Sequence, residues 1–393
     1  MRMLTVLTIL PLSISLQSHA STPSDVWVTL PTTMTSIALE QGATQVSTVT
    51  HSQLSMIKLP KSQLNEFSQA FHLHYHRLGG FMTFETEQQA LANINSTAPH
   101  SKFVAPKIDQ ADKVNQLMPQ LDANNIVTEI QKESANQNRF YKLKTGVTAS
   151  DELFDTWKSL AKGWDKATVT QFSHRRFPQK SVELEIKGSK YPDKVVVIGA
   201  HLDSTAGSWT ILNKRAPGAD DDGSGIASET EVIRVLAENH IQPEYTLRFY
   251  GYAAEEGGLL GSREIVQSVK KEPVTILSAM QLDMTNFKGS DKDIIFEMDH
   301  TNSDFTHFLQ TLIDTYQPNI TYGTDQCGYA CSDHASWDSI GAPAAMPFEA
   351  YMKDMNPNIH SKNDTLENSD PTGTDALHFS QLALSYLIEM GFE

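Results

Sequence analysis

The sequence predicts an α/β domain over residues 111–393, with a mostly parallel central sheet and helices on both faces. Strand-like and helix-like segments alternate along this part of the chain, which is typical of such sheets. Residues 195–200 form a continuous apolar run, as expected of a strand buried on both faces. Residues 226–236 carry apolar side chains at helical spacing. Ligands of a sheet of this kind bind beyond the carboxyl ends of its strands.

The alternation can be followed along the domain. Helices are expected first, at residues 113–134 and 150–160. Strands are expected at residues 181–186, 195–200, 245–254, 275–284 and 293–298. Further helices are expected at residues 224–239, 259–269, 304–316 and 376–390.

Residues 1–20 have the features of a secretory signal peptide. Arg2 precedes an apolar stretch, residues 4–16, that is too short to span a membrane, and Ser18 lies two positions before Ala20 in a small-x-small cleavage site. The alternative is an N-terminal core helix. We therefore expect a secreted protein, and no later segment of the sequence has the length and apolarity of a membrane span.

Residues 21–110 differ in composition from the rest of the chain, being rich in Ser, Thr and Gln. Short apolar runs at 26–30 and 54–59, and a helical pattern at 62–73, predict a small α+β segment. The polar stretch at 106–113 is the expected boundary. We interpret the segment as a propeptide, which would block the main domain or assist its folding until it is removed.

The formal net charge of −16 over 393 residues disfavours binding to nucleic acid or to an anionic membrane surface. Such a charge suits a protein that binds cations. Nothing in the sequence indicates an oligomer, so a monomer is expected.

Three consecutive aspartates, Asp220, Asp221 and Asp222, lie between Gly218 and Gly223. One of them is explained as the cap of the following helix, because a helix N-terminus favours carboxylates. Three exceed what a cap needs. The alternatives are an overcharged helix start and a metal site, and the rest of the chain decides between them.

More ionisable side chains follow the predicted strands, at the edge where ligands bind. They are His201 and Asp203 after the second strand, Glu255 and Glu256 after the third, Asp283 at the end of the fourth, and His360 in a late loop. So many carboxylates would repel one another strongly without a cation. Two metal ions would remove the repulsion, and imidazole with carboxylate suits zinc, with cobalt or manganese as substitutes.

These motifs resemble those of the M28 metallopeptidase family, in particular its secreted bacterial leucyl-type aminopeptidases. The resemblance covers about residues 113–393 and implies the fold of the zinc-dependent exopeptidases. It rests on six motifs in the order of the family: Gly199-Ala-His201-Leu-Asp203-Ser, Gly218-Ala-Asp-Asp221-Asp-Gly-Ser-Gly225, Ala253-Ala-Glu255-Glu256, Gln281-Leu-Asp283-Met, Cys327-Gly-Tyr-Ala-Cys331-Ser-Asp-His-Ala335 and Ile359-His360.

The resemblance implies two zinc ions per chain, held by five ligands. Asp221 would bridge the two ions, His201 and Asp283 would complete one site, and Glu256 and His360 would complete the other. The implied substrates are peptides or proteins with a free N-terminus, whose α-amine would bind the second ion. Cleavage would then be confined to the N-terminal residue.

Glu255 matches the general base of the family, and Asp203 matches a carboxylate behind the ligands, where it is placed to orient the His201 ring. Neighbouring residues on an extended segment point in different directions, so Glu256 is able to bind metal while Glu255 faces the substrate. The alternative is a hydrated carboxylate pair at a strand end. The two ions would lower the pKa of a shared water, and Glu255 would pass the proton of that water to the leaving amine.

Cys327 and Cys331 are the two cysteines of the sequence, and export makes a disulfide across their small loop reasonable. The resemblance implies that this disulfide lies beside the substrate pocket. It also implies an apolar pocket that suits a leucine-like side chain, although ordinary core packing explains each residue equally well. The pocket candidates are Met284, Tyr329, Met346, Phe348 and Ile359.

Glu297 departs from the family pattern, because it interrupts a buried-looking strand where leucine-preferring relatives have an apolar pocket residue. We hypothesise that Glu297 lies in or near the pocket and favours Lys or Arg at the substrate N-terminus. The alternative is that Glu297 points to solvent and the preference is leucine-like.

Other functional classes stay open at this point. A related carboxypeptidase or deacylase would share the sheet, but it would act on peptides with a blocked amino end. A single-zinc glutaminyl cyclase would not need the full set of two-metal ligands. A non-catalytic binding module would have lost the ligands or Glu255.

Overall fold

The structure is a computed structural model, and it describes residues 25–43, 45–48, 54–75, 81–95, 101–206 and 214–392. The predicted signal peptide lies outside these residues. Among the described residues, no helix combines the length and the apolarity that a membrane crossing requires. The described residues form an N-terminal lobe, within residues 25–95, and a main lobe from residue 101 onward.

The N-terminal lobe has a four-stranded antiparallel sheet and three helices, as the predicted small α+β segment requires. Its strands are β1 (Asp25–Pro31), β2 (Gln45–Thr48), β3 (Leu54–Pro60) and β4 (Met82–Phe84), in the order β2-β3-β1-β4. Its helices are α1 (Thr35–Glu40), α2 (Leu64–Tyr75) and α3 (Glu87–Ile94). Phe67, Phe71 and Phe81 pack against the strands and form the centre of its core.

In the main lobe, the described residues form eight strands and eight α-helices. The strands are β5 (Ala167–Phe172), β6 (Ser181–Ile186), β7 (Tyr191–His201), β8 (Tyr245–Tyr252), β9 (Thr275–Gln281), β10 (Ile294–Glu297), β11 (Tyr322–Asp325) and β12 (Ala344–Phe348). The helices are α4 (Ala111–Leu117), α5 (Ala123–Ala135), α6 (Lys144–Leu160), α7 (Gly223–Glu238), α8 (Leu260–Val269), α9 (Ser303–Tyr316), α10 (His334–Asp338) and α11 (Thr374–Gly391).

The eight strands form one sheet in the order β11-β10-β12-β9-β7-β8-β6-β5. The central strands β12, β9, β7 and β8 are parallel. Antiparallel pairs occur nearer the edges, where β6 pairs with β8 and β5, and β10 pairs with β12. The predicted mostly parallel sheet is therefore confirmed.

Helices cover both faces of this sheet, as β7 shows. Val196 and Ile198 point to one face and join the large core built with α7, α9 and α11. Val195 and Val197 point to the other face and pack with α8 and α10. Because successive strand residues alternate between faces, one continuous apolar run supplies both cores.

Three predicted elements differ clearly in extent. The helix expected at 113–134 is two helices, because Pro119 lies in a short 3-10 turn after α4 and cannot continue an α-helical hydrogen-bond ladder. The strands expected to reach residues 254 and 284 end earlier. Ala254 and Met284 each have a φ of 59°, a left-handed conformation that ends an extended strand.

Residues 101–110 have no regular secondary structure, yet they are fixed to the main lobe. The ring of Phe103 packs between Phe305 and Phe308, with centroid distances of 4.9 and 5.7 Å. The backbone N–H groups of Asp109 and Gln110 donate to the carboxylate of Glu389 at 3.1 and 3.2 Å. The boundary near residue 110 stays a prediction. These contacts attach residues 103–110 to the main lobe and not to the N-terminal lobe.

Candidate metal centre

Three parallel strands bring their carboxyl ends to one edge of the sheet. His201 is opposite Tyr252 in the β7–β8 register, and Gly199 is opposite Gln281 in the β7–β9 register. The chain beyond β8 therefore delivers Glu255 and Glu256 beside His201, and the chain beyond β9 delivers Asp283. This is the edge at which the sheet predicts a ligand site.

Asp221 lies between two imidazoles that come from separate parts of the chain. One carboxylate oxygen of Asp221 is 2.9 Å from Nε2 of His201, and the other is 3.0 Å from Nε2 of His360. His201 Nε2 is also 3.5 Å from a carboxylate oxygen of Asp283, and His360 Nε2 is 3.0 Å from one of Glu256. All five predicted metal ligands are thus brought together, in the two groups that the resemblance implies.

The other two aspartates of the triple have structural partners. The carboxylate of Asp220 accepts the N–H of Asn286 at 3.1 Å and the side-chain amide of Asn356 at 2.8 Å. Asp222 is the N-cap of α7, since its carboxylate accepts the N–H of Gly225 at 2.9 Å. The same carboxylate accepts the N–H groups of His201 at 2.9 Å and Met284 at 3.1 Å. Although it lies close enough to His201 and Asp283 to share a cation with them, its oxygens already hold three backbone segments in place.

Asp221 itself is held by its backbone. The N–H groups of Asp220 and Asp221 donate to the two carboxylate oxygens of Asp364, at 3.0 and 3.2 Å. The peptide bond between Asp221 and Asp222 is cis. The carboxylate of Asp221 faces the two imidazoles.

The donor set fits divalent cations. The carboxylate oxygens of Glu256 and Asp283 that face the imidazoles are buried, and no well-aligned hydrogen bond from the described part of the chain reaches them. Burial by itself lowers the pKa of His201 and His360, but the neighbouring carboxylates raise both pKa values well above the usual value for histidine. The site thus demands positive charge, which zinc or a similar ion supplies with the same N and O ligands.

Glu255 is buried beside this cluster and has a different set of neighbours. Its N–H donates to the carboxylate of Asp203 at 2.9 Å. Burial, with the charges of Asp333, Glu256 and Asp283, raises the pKa of Glu255 well above its usual value, against the opposing effect of His201. A carboxyl with a raised pKa is suited to taking up and returning a proton near neutral pH.

Asp203 contacts both His201 and Glu255. The His201 Nδ1 atom is 3.1 Å from the backbone carbonyl oxygen of Asp203, but 3.7 Å from its carboxylate. The nearer partner of Nδ1 is therefore the main-chain carbonyl of Asp203, and the Asp203 carboxylate accepts the N–H of Glu255. An orienting role for the Asp203 carboxylate stays a prediction.

The predicted pocket residues form one buried apolar cluster. Cys327 and Cys331 are joined in a disulfide and belong to it, as the resemblance implies. Two further methionines complete the wall. The members are Met284, Cys327, Tyr329, Cys331, Met346, Phe348, Met352, Met355 and Ile359.

Glu297 lies at the edge of this cluster and is fully buried, with a relative exposure of 0%. It is directly opposite Met346 in the antiparallel β10–β12 pair, and opposite residues of such a pair project to the same face. Its carboxylate also lies close to Cys327. The alternative that Glu297 points to solvent is therefore wrong, and the face that carries Glu297 is the face that carries the pocket.

The N-terminal lobe lies against this region. Phe71 of α2 contacts Tyr329 of the pocket cluster, with 6.1 Å between ring centroids. The Thr83 hydroxyl donates to the carbonyl of Gly257 at 3.1 Å, one residue beyond Glu256. Gly258 has a φ of +92°, and a Cβ there would lie 2.4 Å from the Thr83 hydroxyl. The two lobes thus meet without space for a side chain at Gly258.

Sequence reasoning missed several residues that support the site. Arg139 is fully buried and donates to the carbonyls of Leu202, Pro217 and Gly218. Asp364 holds the Asp221 segment, as described above. A buried arginine that binds backbone carbonyls has no motif of its own, and Arg139 follows three other polar residues, at 136–138, so nothing in the sequence distinguishes it.

Comparison with known proteins agrees with this geometry. The model of Peptidase family M28 matches residues 181–385. A "Probable leucine aminopeptidase" of Arthroderma otae is 31% identical over 313 residues, which cover 79% of this chain and 85% of the relative. Two crystal structures from Legionella pneumophila are similar over more than nine-tenths of this chain.

The first of these is the LapA aminopeptidase, with 25% identity, a TM-score of 0.80, and coverage of 94% of this chain and 99% of that one. The second is LapB, with 27% identity, a TM-score of 0.81, and coverage of 93% and 99%. The family model, the relatives and the fold all agree with the cluster of metal-binding side chains around Asp221: the chain belongs to peptidase family M28 and is a metallo-aminopeptidase.

Proposed function

We propose that this protein is a two-zinc aminopeptidase that removes the N-terminal residue from peptides. The observation that carries the proposal is the position of Asp221, whose two carboxylate oxygens face His201 and His360 at 2.9 and 3.0 Å. A second carboxylate accompanies each imidazole, Asp283 in one case and Glu256 in the other. One carboxylate shared by two such sets suits a pair of ions that lie close together.

Bound there, the ions would supply a nucleophilic water near neutral pH and polarise the scissile carbonyl. The residues of the chain account for the rest. Glu255 takes the proton of the attacking water and returns it to the leaving amine. Asp203 fixes the backbone of Glu255, and the apolar cluster around Met284 and Ile359 excludes water from the side chain of the first substrate residue.

The proposed substrate preference follows from Glu297. A buried carboxylate beside an apolar pocket favours a long side chain that ends in a cation, because the aliphatic part packs on methionines and the charge reaches the acid. Lys and Arg N-termini are therefore the proposed preference. A leucine-like preference is the alternative, supported by the apolar remainder of the pocket.

We also propose that the chain is exported and that residues 21 to about 110 act as an inhibitory propeptide. The signal-like sequence at 1–20 supports export. The contact of Phe71 with Tyr329 and the fit of Thr83 to Gly257 and Gly258 support inhibition, because these contacts cover the segment that follows Glu256 and a wall of the pocket.

The experiment is metal analysis of purified protein together with a panel of aminoacyl-nitroanilides. Two zincs per chain and chelator-sensitive release of nitroaniline are expected. An N-acetylated peptide serves as the control, because an aminopeptidase requires the free amine. Cleavage of the blocked peptide would instead indicate a carboxypeptidase or deacylase, and protein without metal would contradict the two-zinc site.

A further inference from the structure

Arg139 lies in the loop between α5 and α6, far along the chain from the predicted metal ligands. Its side chain is fully buried, with a relative exposure of 0%. Burying an arginine is costly unless its donors are satisfied. The groups that accept hydrogen bonds from Arg139 therefore indicate the structural role of this side chain.

The guanidinium of Arg139 joins two separate loops of the metal centre. Its Nε donates to the carbonyl of Leu202 at 2.8 Å, and Leu202 directly follows His201. Its two terminal nitrogens donate to the carbonyls of Pro217 at 2.5 Å and Gly218 at 2.8 Å. Gly218 lies three residues before Asp221, so one rigid planar group spans the loop of each ligand.

A second connection runs through the main chain. The N–H of Arg139 donates to the Ser204 hydroxyl at 3.0 Å, and that hydroxyl donates to the carbonyl of Ala216 at 2.8 Å. A carboxyl oxygen of Glu133 lies 3.5 Å from Nε of Arg139. Both loops are thus tied to Arg139 at two points each, which fixes their separation.

The turn at Gly218 is shaped around the guanidinium. Gly218 has a φ of +55°, and a Cβ there would lie 2.9 Å from a terminal nitrogen of Arg139 and 2.5 Å from the carbonyl oxygen of Asp221. The Gly218 carbonyl also accepts the N–H of Gly223 at 3.0 Å, at the start of α7. The same carbonyl therefore links Arg139 to the beginning of α7.

We propose that Arg139 is a positioning residue for metal binding, which sets the distance between His201 and Asp221. This inference rests on the proposed function, in which those residues bind zinc. A lysine cannot replace Arg139, because a single ammonium lacks the planar fork that reaches three carbonyls in different directions. Residues that orient metal ligands in this way commonly contribute about 10- to 100-fold to metal affinity.

The test compares Arg139→Lys with wild type and with Arg248→Lys in the full chain. Arg248 is a matched control, since it is a buried arginine of β8 that pairs with Glu185 and Glu272 at 2.9 Å each, away from the metal loops. Zinc affinity is measured on the metal-free proteins by competition with a chromophoric chelator. Thermal unfolding of the same samples shows that each protein is folded.

We expect Arg139→Lys to weaken zinc binding by about tenfold or more, while Arg248→Lys keeps the wild-type affinity even if it loses stability. We also expect Arg139→Lys to lower kcat with little change in KM, because the residues of the substrate pocket are unchanged. Wild-type zinc affinity in folded Arg139→Lys overturns the proposal.

Ser204→Ala gives a milder variant, for use if Arg139→Lys does not fold. It removes the hydroxyl between Arg139 and Ala216 and leaves the guanidinium in place. An intermediate loss of zinc affinity supports the proposal, and wild-type affinity overturns it. A wild-type protein that binds no zinc would overturn the proposed function as well, and the wild-type titration alone reveals that outcome.

Discussion

The rings of Phe71 and Tyr329 meet nearly edge to face, with 6.1 Å between centroids and 75° between planes. Phe71 belongs to the N-terminal lobe, and Tyr329 lies in the disulfide loop that forms a wall of the predicted pocket. The lobe that sequence analysis interprets as a propeptide therefore contacts the part of the site expected to bind the substrate side chain.

Replacing Phe71 with alanine is expected to raise the activity of the full-length chain. Replacing a buried phenylalanine with alanine commonly lowers stability by about 3–5 kcal/mol. Any part of this loss that weakens the contact between the two lobes increases the fraction of molecules whose metal centre is accessible to substrate. Hydrolysis of an aminoacyl-nitroanilide by the full chain measures the effect. Leu39→Ala is the control, because Leu39 of the same lobe is 57% exposed; equal activity of all three proteins would contradict inhibition by the lobe.

Glu255→Gln is expected to abolish turnover while keeping the metal. The amide cannot accept the proton of the attacking water, so kcat should fall by about 10²- to 10⁴-fold. Zinc content should match wild type, since the five predicted ligands are unchanged. In contrast, Glu256→Gln should lower the zinc content. A Glu255→Gln protein of nearly full activity would remove Glu255 from the mechanism.

Glu297→Gln is expected to change substrate preference without unfolding the pocket. The variant keeps the shape of the side chain and removes its charge, and a charge-assisted hydrogen bond contributes about 1.5–3 kcal/mol. The kcat/KM for a Lys-nitroanilide should therefore fall by about 10- to 100-fold relative to a Leu-nitroanilide. Glu185→Gln on β6 is the control. If the ratio of kcat/KM for the Lys-nitroanilide to that for the Leu-nitroanilide is unchanged in Glu297→Gln, the hypothesis of a Lys/Arg preference is wrong.

His334 is expected to make the protein less stable in acid. It is fully buried, its Nε2 lies 3.0 Å from the carbonyl oxygen of Asp299, and burial together with His300 lowers its pKa to about 4. Because the unfolded state binds the proton more tightly, the stabilisation is present above pH 6.5 and is lost as the pH falls towards 4.

Urea unfolding at pH 7.5 and pH 5.0 measures this effect. The pKa difference corresponds to a loss of about 2 kcal/mol in the free energy of unfolding at pH 5.0. His334→Gln should remove that part of the pH dependence, whereas His307→Gln, at an exposed position, should retain it. The same pH dependence in His334→Gln as in wild type would contradict the prediction.

The strands and the site edge were predictable because they carry strong local signals. Buried strands such as β7 are continuous apolar runs, and charged residues directly after them mark the edge where ligands bind. β12 carries a weaker signal, since Pro347 lies inside it and proline argues against a strand. The four-residue strand β11 is too short for a clear period.

Contacts between distant parts of the chain were beyond sequence reasoning. The burial of Glu297 depends on the pairing of β10 with β12, which no local pattern specifies. Arg139 binds backbone carbonyls, which every residue possesses, so its partners leave no trace in the sequence. The docking of Phe71 on Tyr329 joins two lobes that the sequence presents as separate units.

The attachment of Phe103 bears on how the active protein is best produced. A shortened chain that starts at residue 111 would expose the ring of Phe305 that Phe103 covers, and Glu389 would lose two backbone N–H donors. Exposed apolar surface of this kind favours aggregation. A gene that starts at residue 101 would retain the ten residues that close this surface, and should give the higher soluble yield.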